Sequence, residues 1–374
     1  MALAEAKKKI KILVVIPDLN VESGVAAHVM NYYTKIHNEF DIDFAVYTKT
    51  DNKYTREICN NGDGLIFFEK NMLKSHKSIK DFFRKHAVEY DIIHCHTFNY
   101  GFLYLYFAKK YGIKNRIMHI HSIKYSDSSM KAFINTFMVK LCTLVANVYV
   151  ACSGRVGRKA YHNKPFYVIN NGIDLAKFSD RKRDEVRSSL GITQNDFLFG
   201  NVGRLTKGKN QIFAINVFAE LRKVKRFKKS KMIIVGKGPL YKDLLMQVEN
   251  IGLKNEIIFV QSADNIPDYY AAMDCFIFPS KYEGLGMAAI EAQASGLPCF
   301  CNHSLPEEIF ATELIYGLDL KSGEREWSDA IVKSSLDRKD VAQQLMDAGF
   351  EIKQEKDKLI GFYESFCMEG KKCV

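Results

Sequence analysis

Long hydrophobic runs and paired cysteine motifs are absent from this sequence. No apolar run reaches the roughly 18 residues that a membrane-spanning helix needs, and the longest, residues 141–152, fits a core helix that leads into a strand. Nine cysteines are scattered without a C-x-x-C pair, which predicts reduced thiols and a cytosolic protein. The charged N-terminus is not followed by a hydrophobic segment with a cleavage site, so we expect no signal peptide.

Acidic residues are scarce in the first half of the chain. Residues 1–180 hold 26 Lys and Arg against 16 Asp and Glu, an excess of +10, whereas the remainder holds 28 against 27 and carries +1. This asymmetry favours an anionic partner, either nucleic acid or the acidic inner leaflet of a membrane, unless it is simply a lysine-rich soluble surface. Because no nucleic-acid-binding motif accompanies the charge, we predict no nucleic-acid partner.

Strand and helix signals alternate along the chain, whose 374 residues are enough for two domains. Residues 10–16 form a near-continuous apolar run, as expected of a parallel strand covered on both faces. Further strands are predicted at 44–47, 64–68, 92–95, 116–120, 148–151 and 166–169, with helices at 25–36, 79–90, 102–111, 130–146 and 154–161. The pattern restarts with strands at 197–202, 232–235, 257–260 and 275–278. It predicts doubly wound parallel sheets, which bind ligands at the carboxyl ends of their strands.

Residues 275–298 predict a strand, a glycine loop and a helix in succession. Gly284 and Gly286 form the loop, the pattern turns helical from Met287, and Gly296 and Pro298 end the helix. Free backbone N–H groups and the positive end of the helix would then meet at one point, which suits a phosphate.

Two glutamates belong to this stretch, Glu283 in the loop and Glu291 eight positions later. Two helical turns span about 11 Å, so the two carboxylates suit the two ends of a nucleotide-sized ligand better than a close acid/base pair. The alternative is the glycine loop of an ordinary α/β protein with two solvated glutamates, since short glycine motifs are often fortuitous.

Two further glycine loops follow predicted strands. Ser23 and Gly24 begin one helix, while Gly203 begins a segment that carries Arg204 and Lys209 to the start of another. Backbone N–H groups, a helix dipole and two cations fit a diphosphate. The alternative for the second segment is a basic surface loop.

Two predicted strands end in paired histidines, His94-Cys95-His96 and His119-Ile120-His121. Residues two apart on a strand share a face, so four imidazoles at neighbouring strand ends could hold zinc. No carboxylate lies at ligand spacing in either motif, and histidines packed or hydrogen-bonded at strand ends are commoner. We therefore predict no metal.

The segment from Pro279 to Pro298, with its Glu283-x7-Glu291 spacing, resembles the signature of the retaining glycosyltransferases of family 4, and in particular the bacterial capsular and exopolysaccharide enzymes. The Gly-Arg-Leu…Lys-Asn run over 203–210 and Asn-Gly-x-Asp over 171–174 are similar to other motifs of that family. The resemblance implies the GT-B fold, two Rossmann-like doubly wound parallel-sheet domains facing a central cleft. It divides the chain into an acceptor domain at 1–185, a donor domain at 190–350 and a helix at 351–374 that crosses back to the first domain.

The resemblance also implies roles in the second domain. Glu291 would hold the donor's ribose and Glu283 a sugar hydroxyl. The N–H groups of three loop residues would face the phosphate and sugar; these are Leu285, Gly286 and Met287. Arg204 and Lys209 would neutralise the leaving diphosphate in place of a metal.

Three other residues receive roles from the same resemblance. His121 would lie beside the transferred sugar, Gln261 would touch the base, and Gly24 would help to bind the donor. The first loop departs from the family pattern, because Ser23 stands in place of a glycine and Ala26-Ala27 in place of a charged pair.

The implied activity is metal-independent, anomer-retaining transfer of a hexose from a nucleotide sugar, foremost a UDP-sugar, to a glycan or polyprenyl-linked glycolipid in polysaccharide biosynthesis. The nucleotide sugar is a co-substrate, and no cofactor is expected. We expect a cytoplasmic protein, peripheral on the anionic inner face of the cell membrane. Three alternatives stay open: a nucleotide-sugar epimerase of the same fold, a non-catalytic nucleotide-sugar binder, and a zinc enzyme built on the histidine pairs.

Overall fold

The computed structural model describes residues 9–21, 23–69, 72–122, 129–179, 182–261 and 265–368. The chain forms two compact units, one made of Met1–Gly172 with Ile352–Val374 and the other of Ile173–Glu351. Each unit is built around its own parallel sheet. No helix in these described ranges is both long enough and apolar enough to cross a membrane.

The first unit contains a seven-stranded parallel sheet in the order β3-β2-β1-β4-β5-β6-β7. Its elements, in chain order, are β1 (Lys11–Val15), α1 (Gly24–Ile36), β2 (Asp41–Val46), α2 (Lys53–Asn60), β3 (Leu65–Phe67), α3 (Met72–His86), β4 (Ile92–Cys95), α4 (Gly101–Lys110), β5 (Asn115–Ile120), α5 (Ser129–Val145), β6 (Val148–Ala151), α6 (Gly154–Tyr161) and β7 (Tyr167–Val168). The last helix of the chain, Ile352–Met368, also belongs to this unit and packs against α1.

The second unit contains a six-stranded parallel sheet in the order β10-β9-β8-β11-β12-β13. Its elements are α7 (Ala176–Ser179), α8 (Arg183–Ser189), β8 (Leu198–Val202), α9 (Gln211–Leu221), β9 (Lys231–Val235), α10 (Tyr241–Asn250), β10 (Ile257–Val260), α11 (Ile266–Ala272), β11 (Cys275–Phe278), α12 (Met287–Ala294), β12 (Cys299–Asn302), β13 (Ile315–Leu318), α13 (Gly323–Lys333) and α14 (Ala342–Asp347). The final helix, Ile352–Met368, is α15.

The two parallel sheets confirm the predicted fold class. The sequence predicts a helix over 79–90, but α3 spans Met72–His86 and is followed by a 3₁₀ turn at Ala87–Glu89. The first turns of α3 are polar and rich in lysine, so apolar residues do not recur there at the spacing that would indicate a helix. Helix α2 was not predicted at all; it is short and polar and begins at Asn52, whose side chain accepts the N–H groups of Tyr54 and Thr55.

A buried arginine joins α8 to the sheet of the second unit. Arg187 is only 2% exposed, and its guanidinium donates to the carbonyl oxygens of Ala272 (2.8 Å) and Thr193 (2.7 Å). The same guanidinium lies 3.3 Å from the Asp274 carboxylate, which also accepts the backbone N–H of Leu198 at the start of β8. Asp274 therefore compensates a buried charge and anchors the first strand of the sheet.

Replacement of Asp274 by alanine is expected to destabilise the second unit by about 3–5 kcal/mol, because Arg187 would keep its charge without a partner. Trp327, the only tryptophan in the sequence, is fully buried in this unit, so its fluorescence in a urea titration reports the unfolding of this unit. The matched control is Glu313→Ala, since Glu313 and Lys339 form an exposed ion pair and should leave the midpoint almost unchanged. Equal midpoints for the two variants would contradict the assigned role of Asp274.

Candidate functional site

Loops that follow β8 and β11 are held together at the carboxyl edge of the second sheet. The Lys281 N–H donates to the Gly208 carbonyl oxygen at 2.8 Å, and the Asn210 side-chain amide donates to the Pro279 carbonyl oxygen at 3.2 Å. Segments about 70 residues apart in sequence thus form one surface, as the fold of parallel sheets requires of strand ends.

The loop that follows β9 packs against the β8 loop backbone to backbone. A Cβ on Gly236 would stand 2.1 Å from the Gly203 carbonyl oxygen, and a Cβ on Gly238 would stand 2.3 Å from that of Leu205. No side chain fits at either position without moving the backbone. These glycines therefore fix the height of the 203–210 loop above the sheet.

An ion pair lies where the first two loops meet. The Lys209 ammonium is 2.6 Å from the Glu283 carboxylate, and it also lies 5.2 Å from the centre of the Phe278 ring. The Glu283 side chain is only 12% exposed. Partial burial strengthens such a pair and holds the lysine in one place.

Glu291 lies on α12 beside this ion pair. Its carboxylate accepts a hydrogen bond from the Tyr270 hydroxyl, with the two oxygens 2.9 Å apart. Burial raises the pKa of Glu291 to about 7, and both the Tyr270 hydrogen bond and the nearby Lys209 charge oppose that rise. We call Lys209, Tyr270, Glu283 and Glu291 the Lys209 cluster. It brings together three of the residues that the sequence singled out.

Gly286 sets the start of α12 with a left-handed φ of 104°. A Cβ at this position would lie 3.2 Å from Ile309 Cγ2 and 3.7 Å from Glu283 Cγ, so both the conformation and the space favour glycine. Leu285 is buried at 3% exposure and Met287 is partly exposed. The N-terminus of the helix, with its N–H groups and positive dipole, therefore lies next to the Glu283 side chain.

Two other predicted residues lie on the same sheet edge but outside the Lys209 cluster. Arg204 is exposed in the loop after β8, where its carbonyl oxygen accepts the Gln211 side-chain amide at 3.2 Å. Gln261 is exposed just after β10. Among the described residues, no hydrogen bond or ion pair joins either side chain to the cluster, and their roles stay predictions.

Both histidine pairs of the first unit lie at the carboxyl ends of β4 and β5, and His121 is among them. His96 Nδ1 is 2.9 Å from His121 Nε2, and His94 Nε2 is 3.2 Å from His119 Nδ1. His28 of α1 joins them, with its ring 5.0 Å from that of His121. Burial lowers the pKa of every one of these imidazoles, to about 3 for His28 and His94, and keeps them neutral.

Gly24 occupies the first position of α1. Ser23 caps this helix by accepting the Ala26 N–H at 3.4 Å. A Cβ on Gly24 would meet no atom within 4 Å, so packing does not require glycine at this position. The proposed role of Gly24 in donor binding stays a prediction.

Two residues that contact these clusters were not predicted from the sequence. Tyr270 approaches Glu291 across 21 positions, and His28 meets the strand-end histidines from a helix. Neither residue belongs to a motif. Only the knowledge of which elements pack together could have identified them.

Two family models match the chain. Glycosyltransferase Family 4 covers residues 23–177, and Glycosyl transferases group 1 covers residues 182–342. These matches lie one in each half of the chain, on the two parallel-sheet units that GT-B enzymes share. The chain belongs to this family of GT-B glycosyltransferases.

Particular relatives extend over most of the chain. A Bacillus subtilis protein named "Putative glycosyltransferase EpsF" is 26% identical over 94% of this chain and 96% of its own length. The UDP-Gal:alpha-D-GlcNAc-diphosphoundecaprenol alpha-1,3-galactosyltransferase of Escherichia coli is 28% identical over 82% of this chain and 81% of its own. The chain is thus a glycosyltransferase similar to enzymes of polysaccharide and glycolipid biosynthesis.

Solved structures agree with this fold. HepE of Anabaena, crystallised with UDP and glucose, superposes with a TM-score of 0.75 at 18% identity, over 95% of this chain and 100% of that one. Sucrose-phosphate synthase of Thermosynechococcus elongatus superposes with a TM-score of 0.76 at 16% identity, over 96% and 100%. At these identities the likeness concerns the fold alone.

The raised pKa of Glu291 predicts how the unfolding free energy depends on pH. A glutamate takes up its proton near pH 4.5 when exposed and near pH 7 here, so the folded state binds the proton more tightly. Its contribution to stability is therefore complete below about pH 4.5 and is lost as the pH rises through about 7. Relative to Glu291→Gln, the wild type should lose stability across this window, as measured by urea titrations followed through Trp327 fluorescence.

Glu326→Gln, on the exposed part of α13, is the control for this experiment. It should show no such divergence from the wild type over the same pH range. A constant difference between wild type and Glu291→Gln at all pH values would show that Glu291 titrates as an ordinary surface glutamate.

Proposed function

We propose that this enzyme transfers a hexose from a UDP-sugar to a membrane glycolipid, with retention of anomeric configuration and without a metal at the leaving group. The observation that carries the proposal is the Lys209–Glu283 ion pair beside Glu291, on glycine-bearing loops at the carboxyl edge of a parallel sheet. A cation, a helix N-terminus and two carboxylates at one point supply partners for a diphosphate and for hydroxyl groups.

In this proposal each residue of the site has one task. Glu291 accepts hydrogen bonds from the ribose hydroxyls, and Glu283 accepts one from the sugar. The N–H groups of Leu285, Gly286 and Met287 face the phosphates, and Gln261 touches the base.

The reaction breaks the bond between the anomeric carbon and the diphosphate oxygen, and it forms one from the same carbon to the acceptor hydroxyl. Retention follows if the acceptor attacks from the side that the diphosphate leaves, so that a diphosphate oxygen takes the hydroxyl proton. Negative charge builds on the leaving UDP. Lys209 and Arg204 offset that charge, which makes them the electrostatic counterpart of a metal ion.

Ionised carboxylates are the better acceptors for hydroxyl groups, so donor binding should favour the charged form of Glu291. Its pKa of about 7 in the ligand-free protein then makes donor binding release a proton near neutral pH. The choice of UDP is supported by two relatives. HepE was crystallised with UDP and with UDP-glucose, and the name of the Escherichia coli galactosyltransferase includes UDP-Gal.

Calorimetric titration with UDP, GDP and dTDP in the presence of EDTA tests the donor site. We expect UDP to bind most tightly, and Glu291→Ala and Lys209→Met to weaken it by about 10–100-fold, the loss typical of a hydrogen bond to a charged group. Lys207→Met, which removes an exposed lysine from the same loop, is the matched control and should bind UDP like the wild type.

The other outcomes separate the alternatives. Failure of all three diphosphates to bind, or binding only after a divalent metal is restored, would contradict the proposed donor site. UDP-sugar binding without transfer to any lipid-linked acceptor would identify a non-catalytic binder. Interconversion of UDP-sugars without an acceptor would identify an epimerase.

The first unit offers a surface suited to a membrane acceptor. Helix α5 buries Val139, Cys142 and Val145 on one side, while the other side exposes a stripe of large apolar residues. We call this stripe the α5 face, and it consists of Met130, Phe133, Ile134, Phe137 and Leu144, which are between 51% and 78% exposed. Their spacing of three, four or seven places them along one side of the helix.

The charge of α5 and of its sequence neighbours favours an anionic bilayer as the occupant of the α5 face. Residues 101–172 contain eleven Lys and Arg but only one acid, and Lys131 and Lys140 are exposed on α5 itself. An exposed apolar face on a basic surface is the pattern of helices that lie in the headgroup region. The name of the Escherichia coli relative includes an acceptor linked to diphosphoundecaprenol, a membrane lipid. We therefore propose that the α5 face docks the enzyme on the membrane.

Cosedimentation with vesicles tests this docking. The wild type should bind vesicles rich in anionic phospholipid, and added salt should weaken that binding. The double variant Phe133→Ser/Phe137→Ser should bind about tenfold less tightly. In the wild type these two side chains would be buried in the bilayer, which contributes more than about 1.4 kcal/mol to the binding free energy. Its control, Leu245→Ser/Met246→Ser, removes two exposed apolar residues from α10 and should bind like the wild type. Absence of vesicle binding, together with a dimer that the α5 variant abolishes, would identify a second copy as the occupant.

A further inference from the structure

Four imidazoles from three elements converge inside the first unit. They belong to His28 on α1, to His96 after β4, and to His119 and His121 at the end of β5. One ring nitrogen of each lies within 4.8 Å of the corresponding nitrogen of the other three. From this geometry we infer that the first unit binds a zinc ion through these four histidines. We call them the zinc tetrad.

Unpartnered nitrogens support this inference. His28 Nδ1, His119 Nε2 and His121 Nδ1 are buried and have no hydrogen-bond partner among the described residues. A buried polar atom without a partner costs about 1–3 kcal/mol, and here three such atoms belong to members of one cluster. A cation coordinated through these atoms would give each of them a partner. Because burial keeps the imidazoles neutral, each ring has a lone pair to offer.

A second layer of hydrogen bonds orients one of the proposed ligands. His119 Nδ1 faces His94 Nε2 at 3.2 Å, and His94 Nδ1 faces the Tyr363 hydroxyl at 2.6 Å. If His119 donates its Nδ1 proton to His94, the lone pair lies on His119 Nε2, the atom that lacks a partner. Zinc-binding histidines are commonly held in this way by their other ring nitrogen.

The donor set selects the metal. Four imidazoles without a carboxylate suit zinc and other late transition metals and do not suit magnesium or calcium. Tetrahedral zinc with bonds of about 2.0–2.1 Å needs nitrogens about 3.4 Å apart, so the rings would have to move inward slightly. A cavity of about 30 Å³, lined in part by His28, His96, His119 and Tyr363, adjoins the tetrad and gives the rings room to move.

The zinc tetrad goes beyond the proposed transfer reaction. All four of its residues belong to the first unit, whereas the Lys209 cluster belongs to the second, so the two sites share no residue. Its effect would be structural. The ion would fix α1, whose first residue is Gly24, to the ends of β4 and β5. It would also fix the orientation of His121, which sequence reasoning placed beside the sugar.

Elemental analysis of tag-free protein, dialysed after exposure to zinc chloride, tests the inference. We expect stoichiometric zinc in the wild type and a loss of at least tenfold in His28→Ala and in His119→Ala. The control is His303→Ala, which removes an exposed histidine of the second unit and should retain the metal. Cobalt in place of zinc should give the visible absorption of a four-coordinate site in the wild type and in the control only.

A second measurement uses only the wild type, so it does not depend on whether the variants fold. Zinc should raise the melting temperature of the wild type, and EDTA should reverse that rise. Metal-free wild-type protein after dialysis, with no effect of zinc on melting, would overturn the inference and leave water as the partner of the three nitrogens. Zinc retained in both tetrad variants would overturn it as well. UDP titrations of the same samples report separately on the donor site, so either proposal can fail alone.

Discussion

The ion pair between Lys209 and Glu283 is the interaction on which the site of the second unit depends. It joins residues 74 positions apart, at a separation of 2.6 Å, and neither side chain is fully exposed. Such a pair forms only if the loops after β8 and β11 are held at a fixed distance. The hydrogen bond from Lys281 to Gly208 provides that constraint, and the backbone contacts at Gly236 and Gly238 hold the β8 loop against the β9 loop. The position of the charged side chains therefore depends on close backbone packing at glycine residues.

The Lys209 cluster contains more carboxylates than cations. One ammonium faces two carboxylates, and burial keeps the pKa of Glu291 near 7 although Tyr270 and Lys209 both oppose it. At neutral pH the cluster therefore lies between a neutral and a singly negative state. An arriving diphosphate would compete with Glu283 for Lys209, while an arriving ribose would favour the ionised form of Glu291. Both effects make the occupied site differ electrostatically from the free one.

The sequence predicted most of the fold because buried parallel strands leave continuous apolar runs, and that signal identified the strands of the first sheet and four of the six strands of the second. Strands β12 (Cys299–Asn302) and β13 (Ile315–Leu318) were not predicted. It predicted Lys209, Glu283 and Glu291 because glycine loops and charges follow such strands. Tyr270 and His28 were missed since each acts through packing with a distant element. The α5 face was missed for a related reason. The sequence of α5 is apolar over most of its length, and only the packing decides which side is buried.

The two polar clusters of this chain differ in how the cost of burying their polar groups is compensated. In the Lys209 cluster a cation from the protein pairs with Glu283, and Tyr270 donates a hydrogen bond to one oxygen of Glu291. In the zinc tetrad every group is neutral, so nothing in the cluster repels a cation, yet three nitrogens lack a partner. Neutral imidazoles with free lone pairs attract a cation. In the Lys209 cluster the Lys209 ammonium already takes that place. Burial thus leaves different groups to be satisfied in the two units: a carboxylate charge that Lys209 offsets in the second, and, in the first, uncharged nitrogens without partners among the described residues.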